Sequence, residues 1–325
     1  MYSKKQPVAG LKIGDRVEDI FVVKIKKGVS SYVNGFYFNL LLTDSSGRTV
    51  EYKYWGERDE ARVKQIYDTI NADSVVFLQG KVAGFKGKPE IHTNPPDSIK
   101  PLKEGEYNPD DFIKPAKRDM KEMENELFNY INSVKNSEIK KILEKIFIQD
   151  KDFLDKFKTH PGAIEIHHNW IGGLIQHSLE MVKFCELSKQ IFPELDMDLM
   201  IAGVLLHDIG KVEEITVTSR IKGTRKGQLK GHTAISYRIV ANVMDGLQTS
   251  EDTRDKILHI ILSHQGQLEY GAPKEPMFSE AVAIHFADQM SSKLAEIIEF
   301  IKDSRSATED EFMWSRRHRR NIFLR

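Results

Sequence analysis

The chain holds one cysteine, Cys185, so no disulfide framework is available and a cytoplasmic location is expected. No stretch approaches the roughly eighteen uninterrupted apolar residues of a transmembrane helix. The opening Met1-Tyr-Ser-Lys-Lys-Gln-Pro7 leads into no apolar run of the signal-peptide kind. Net charge is absent too: 48 basic residues cancel 48 acidic ones. That balance speaks against coating nucleic acid through bulk charge and leaves only local patches. Internal repeats and low-complexity tracts are also missing. What is present is a 325-residue chain, long enough for two domains, with a 40% hydrophobic fraction that supports a sizeable core.

Residues 10 to about 100 read as β-rich. Strand patterns cover Val17–Ile25, Phe36–Thr43 and Thr49–Trp55, with Asp44-Ser-Ser-Gly47 as a turn between the last two. Arg58–Ile70 has helical spacing, and strands over Ser74–Phe85 and Pro89–Thr93 meet at Lys86-Gly87-Lys88. Five strands with one helix between the third and fourth is the order of an OB-fold barrel, with another small barrel or an SH3-like fold as alternatives. Pro95, Pro96, Pro101, Pro109 and Pro115 rule out a regular helix over residues 94–118 and predict a linker. The domain boundaries expected are 1–100 for the barrel, 101–118 for the linker, 119–303 for an all-α domain and 304–325 for a basic tail.

Within the helical part, apolar sequence surrounds groups that are costly to bury. These are His177, the pair His207-Asp208 at the end of an apolar run, and Asp288. An imidazole or carboxylate buried without a partner costs several kcal/mol, and a divalent cation is a natural partner. His232 and His264 bring the set to enough N and O donors for two metals sharing one carboxylate, and Asp208 has two oxygens with which to bridge them. Adjacent helical residues point about 100° apart, so His207 and Asp208 serve one cluster only at a helix end, which Gly210 suits. Donors without cysteine favour Mn²⁺, Mg²⁺, Fe or catalytic Zn²⁺ over a structural zinc finger. Two cations about 4 Å apart suit in-line displacement at phosphorus. Lys211 could reach a phosphate oxygen or simply complement a helix end.

The pattern His177, His207-Asp208, Asp288 resembles the HD phosphohydrolase superfamily, and His232 and His264 look like those of its two-metal members. That resemblance implies a first metal on His177, His207, Asp208 and Asp288, and a second on Asp208, His232 and His264. Some two-metal members have a histidine where this chain has Gln265, which implies a weaker or water-completed second site. The run His167-His168-Asn-Trp-Ile-Gly-Gly-Leu-Ile-Gln-His177, then His207-Asp208-Ile-Gly-Lys211, Gly231-His232 and Ala287-Asp288, is similar to the YhaM-type 3′–5′ exoribonucleases. These join an OB-fold to an HD domain, and the likeness spans nearly the whole chain apart from the tail. It implies metal-dependent removal of nucleotides from a single-stranded 3′ end, with His168 near the substrate phosphate. Two other readings stay open: an HD enzyme acting on a nucleotide or cyclic dinucleotide, and a non-catalytic single-strand-binding protein.

Binding residues for single-stranded RNA, or single-stranded DNA, are sought in two places. A hairpin is expected over residues 215–229, and its Arg220, Lys222, Arg225 and Lys226 suit a polynucleotide backbone. In the barrel, strand alternation with Phe36 and Phe38 inside turns Tyr37 outward, and Tyr37, Trp55 and Phe85 are the stacking candidates among lysines 24, 26, 27, 53, 86 and 88. Trp170 could stack on a base or be buried, Cys185 reads as packing, and His285 as support for a ligand. No membrane partner is expected; the oligomeric state is left open, a homo-oligomer included.

Overall fold

In a computed structural model, which describes residues 1–85, 87–108, 111–114, 116, 118–164, 168–305 and 308–325, the first strand is long enough to pair twice. Lys86, Pro109, Pro115 and His167 lie outside the described residues. Strand β1 (Arg16–Tyr32) is followed by β2 (Gly35–Thr43), β3 (Thr49–Trp55), helix α1 (Glu60–Thr69), β4 (Val75–Phe85), β5 (Lys88–Thr93) and β6 (Ile99–Pro101). The Val22–Tyr32 part of β1 pairs with β2, and its Arg16–Val22 part pairs with β4. With β2–β3 and β4–β5 antiparallel and β3–β5 parallel, five strands close into an OB-fold-like ring. Register shifts at Val23/Ile25 and Lys27/Val29 bend β1 around it. The strand runs past its expected end at Ile25 because Lys26, Lys27 and Ser30 dilute the apolar signal, while the β2 partners hold the backbone.

Alternation in β1 sends Val17, Phe21 and Val23 into the ring, against Phe38, Leu40 and Tyr52. It sends Ile20 and Val22 to the outer face, where they pack with Val75, Leu102 and Phe112. The proline-rich stretch expected as a linker also contributes to the fold: it forms β6 against β4 and seats Leu102 and Phe112 on the ring. Its prolines exclude a helix, but an edge strand and irregular packing do not require one.

Residues Met1–Pro115 with Val217–Arg220 form one compact unit, and Ala116–Thr216 with Ile221–Arg325 the other. The second unit is helical: α2 (Met120–Ser133), α3 (Ser137–Glu144), α4 (Lys151–Thr159), α5 (Gly173–Ile191), α6 (Met197–Leu206), α7 (Lys211–Glu214), α8 (Arg225–Leu247), α9 (Glu251–Ser263) and α10 (Ser279–Arg305). The side chains of Asp119, Asn136, Asp150, Asp196 and Thr224 accept backbone N–H hydrogen bonds at the starts of α2, α3, α4, α6 and α8. Helix α6 packs against α5, α9 and α10, and every residue from Leu199 to Leu206 is buried. A helix apolar on all sides is thus the centre of the unit. The hairpin expected over 215–229 is shorter, β7 (Ile215–Val217) with β8 (Ile221–Gly223), because Thr224 caps α8 directly after it. The basic tail is a second hairpin, β9 (Phe312–Ser315) with β10 (Arg320–Phe323). No helix of the described residues is long and apolar enough to cross a membrane.

Candidate metal centre

Helix ends deliver most of the candidate ligands. His207 ends α6 and Asp208 follows it, while His264 ends α9. His177 lies on the second turn of α5, buried with its neighbours from Gly173 to Leu179, and Asp288 lies within α10. His232 follows a break in α8, where Gly231 takes φ 72° and ψ 152°. Only glycine adopts that combination readily, and the kink sets the direction of the helix that starts with His232. At Gly210 a Cβ would stand 2.2 Å from the His232 carbonyl oxygen, so only glycine lets the chain after Asp208 approach His232 so closely.

Two groups result. Ligand atoms of His177, His207 and Asp288 lie within 4.8 Å of one another, and so do those of Asp208, His232 and His264. Asp208 joins them: its Oδ2 is 3.1 Å from His207 Nε2, and its Oδ1 is 3.4 Å from His232 Nε2 and 3.7 Å from His264 Nε2. In all four histidines Nδ1 is anchored away from the centre. His207 Nδ1 donates to the Val204 carbonyl and His264 Nδ1 to that of Ile261, each at 2.7 Å. His177 Nδ1 bonds Ser291 Oγ at 3.0 Å, and His232 Nδ1 bonds Glu214 Oε1 at 3.2 Å. Such anchoring selects the tautomer whose Nε2 lone pair faces inward. His285 Nδ1 donates to the His264 carbonyl at 2.8 Å, supporting the backbone of a ligand.

The donors fit divalent cations. Asp208 Oδ1 is buried and makes no hydrogen bond among the described residues, and the buried His207 Nε2 faces Asp208 Oδ2 at 3.1 Å. An unsatisfied buried polar atom costs about 1–3 kcal/mol, which a coordinated cation removes. Burial, with His207 adding to it, pushes the His264 imidazole down to about 4. Burial also lowers His177, against the pull of Asp288. His207 moves the other way: burial would lower it, but the neighbouring Asp208 carboxylate keeps it above its ordinary range. Burial alone would raise both carboxyls, yet His207 and Lys211 hold Asp208 far below its usual range, and His177 holds Asp288 down likewise. Ionised carboxylates at Asp208 and Asp288 and neutral imidazoles at His177 and His264 are the state in which a cation binds.

His168 is buried at a positive φ of 55° with its ring 5.2 Å from that of His177. Its Nε2 donates to Glu180 Oε2 at 2.9 Å, and Ser291 Oγ donates to the same oxygen at 3.0 Å. Burial pushes Glu180 up, but the bonds from His168, Gln176 and Ser291 outweigh it and bring the carboxyl to about 2. Lys211 Nζ is bound to Asp208 Oδ2 and to the Gly162 carbonyl, both at 2.6 Å. Trp170 is buried with Nε1 donating to Gln176, which excludes it as a stacking platform. Gln265 Nε2 is 3.2 Å from His232 Nε2. Glu180, Ser291 and Glu214 escaped sequence reasoning. Each lies three residues after a named group (His177, Asp288 and Lys211), a helical spacing that brings side chains together.

The HD domain family matches residues 174–293, which contain the whole ligand set. Over 286 residues the chain is 32% identical to the 3′-5′ exoribonuclease YhaM of Bacillus subtilis (strain 168), covering 87% of each chain. The same protein of Bacillus licheniformis is 31% identical over the same shares. The chain belongs to the YhaM exoribonuclease family. Among solved structures, a replication Factor A related protein from Methanobacterium thermoautotrophicum is 16% identical, covering 30% of this chain and 91% of its own, at a TM-score of 0.26. That score carries no argument, and the fold rests on the strand pairing.

Against the YhaM architecture, the expected nucleic-acid contacts divide. Arg220, which clusters with the barrel's unit, pairs with Asp73 at 2.8 Å. Lys226 pairs with Glu213, Lys222 is half-buried, and Arg225 is exposed. Distant acids therefore neutralise part of a basic run that looks unpartnered in sequence. In the barrel, Tyr37 and Trp55 are cross-strand partners with rings 5.2 Å apart. Lys53 Nζ lies 5.0 Å from the Trp55 ring and 5.4 Å from that of the exposed Phe85. The three aromatics thus share one face with a cation, while Tyr52 and Tyr54 are core.

Proposed function

We propose that this chain shortens single-stranded RNA from the 3′ end by hydrolysing its phosphodiester bonds. The observation that carries this reading is the pair of ligand groups joined at Asp208, with every histidine anchored at Nδ1. His177, His207 and Asp288 would hold one divalent cation and His232 and His264 another, with Asp208 touching both. Mn²⁺ is the metal we favour for this oxygen and nitrogen set. When bound, the cations supply an activated water and neutralise charge developing on the phosphoryl oxygens.

The chain's own groups position the rest. Lys211 uses two hydrogens on Asp208 and Gly162, leaving the third for a phosphate oxygen. His168 acts through others: with Ser291 and Glu180 it fixes the orientation of His177. Tyr37, Trp55 and Phe85 beside Lys53 stack bases of the incoming strand, and Arg225 and Lys222 hold its backbone. The buried thiol of Cys185 fits a reducing cytoplasm.

The test incubates 5′-labelled single-stranded RNA with the full chain and Mn²⁺, beside EDTA and Asp208→Ala controls. A ladder shortening from the 3′ end, absent in both controls, is expected. Intact RNA alongside hydrolysis of free nucleotides would overturn the reading.

A further inference from the structure

The C-terminal hairpin presents aromatic rings to solvent, and nothing in the metal centre uses them. Cross-strand pairs run from Ser315–Arg320 to Phe312–Phe323. Alternation puts Ser315, Ile322 and Leu324 on the inner face, all buried. It puts Phe312, Trp314 and Phe323 on the outer face, where they are 57%, 60% and 52% exposed. Phe312 and Phe323 pair at 5.2 Å between centroids, so the outer face is a small aromatic platform.

The platform is held firmly. Arg305 donates to the Leu324 carbonyl, the Leu324 amide donates to Glu311 at 2.7 Å, and Arg317 pairs with the buried Glu296. Residues 312–325 contain five arginines and no Asp or Glu. Among the described residues, Arg316, Arg319 and Arg320 are exposed and make no ion pair. These arginines gather at the turn joining the two strands, next to Trp314, while Glu309, Asp310 and Glu311 precede Phe312 at the other end. Flat π-faces offered at low entropic cost, with guanidinium groups at the turn end, match a ligand that carries both bases and phosphates. We propose that this hairpin is a second contact for single-stranded RNA, separate from the barrel face. The inference rests on the substrate class proposed above.

The test measures anisotropy of a fluorescein-labelled 20-nucleotide single-stranded RNA with the full chain in EDTA. Trp314→Ala should raise Kd by about 5- to 150-fold, the range for losing one stacked base. Arg319→Ala with Arg320→Ala, at exposed positions that leave the fold intact, should make the dependence of log K on log salt shallower by about 1.4. Mn²⁺-dependent hydrolysis of bis(p-nitrophenyl) phosphate, which occupies only the metal centre, should be unchanged in each variant. Unaltered Kd and salt slope, in a wild type that binds and shortens RNA, would overturn this inference and leave the proposed function standing. A change in sedimentation coefficient for Trp314→Ala with RNA affinity intact would assign the face to a second copy instead. A wild type that neither binds nor shortens RNA would overturn both.

Discussion

Asp208 faces two ways: Oδ2 toward His207 and Lys211, Oδ1 toward His232 and His264. That single carboxylate makes one centre of two ligand groups, and burial makes the centre sensitive to protons. His264 ionises near 4 when folded and at 6.5 ordinarily, and His177 is lowered too. Both take up protons on unfolding once pH drops below about 6.5, so the folded state loses stability as pH falls toward 4. His207 does not offset this loss, since its raised value changes stability only above about 6.5 and contributes a constant amount below it. In EDTA, the urea midpoint should therefore fall between pH 6.5 and 4.5, and the His264→Gln variant should show a flatter profile. A midpoint that rises on acidification would contradict this account.

At the scale of elements, the ligands depend on where helices stop. A methyl group added at Gly231 would meet nothing within 4 Å, so Gly231→Ala would be penalised by backbone conformation alone. A non-glycine residue there costs about 1–3 kcal/mol, and relaxing the strain would straighten α8 and carry His232 away from Asp208. We expect a small drop in melting temperature, at least a tenfold loss of RNA hydrolysis and weaker Mn²⁺ binding by titration. Wild-type metal affinity in this variant would show that the kink does not aim His232. Much at this scale is legible in the sequence. The apolar run ending at His207-Asp208 marks the central helix, and strand alternation places Phe38 in the core and Phe36 partly against it, with Tyr37 half-buried on the other face. The ends of β1 and the hairpin before α8 are not legible, because cross-strand pairing and a Thr224 cap set them rather than local composition.

For the whole molecule, each unit has its own apolar core: the barrel around Phe21, Phe38 and Tyr52, the helical unit around α6. All six ligands belong to the helical unit. Cation binding should therefore stabilise that unit, by about 2.7 kcal/mol at a hundredfold excess over Kd, or roughly 5–10 °C in its transition. Calorimetry of the full chain with Mn²⁺ and after EDTA should show one transition move and the other stay. Equal shifts in both would mean that the cation is not confined to the helical unit.

Local sequence dictates which groups have to find partners. His177, His207, Asp208, His232, His264 and Asp288 stand in or beside apolar helices, where solvation energy leaves few tolerable states. It also sets the class of each unit, through the period of its apolar residues. Packing supplies what no local pattern carries: that Asp208 lies between the two groups, that Glu180 and Ser291 stand behind His177, and that Asp73 and Glu213 neutralise two of the basic residues near the hairpin. These are contacts between residues distant in the chain, and only the tertiary fold brings them together.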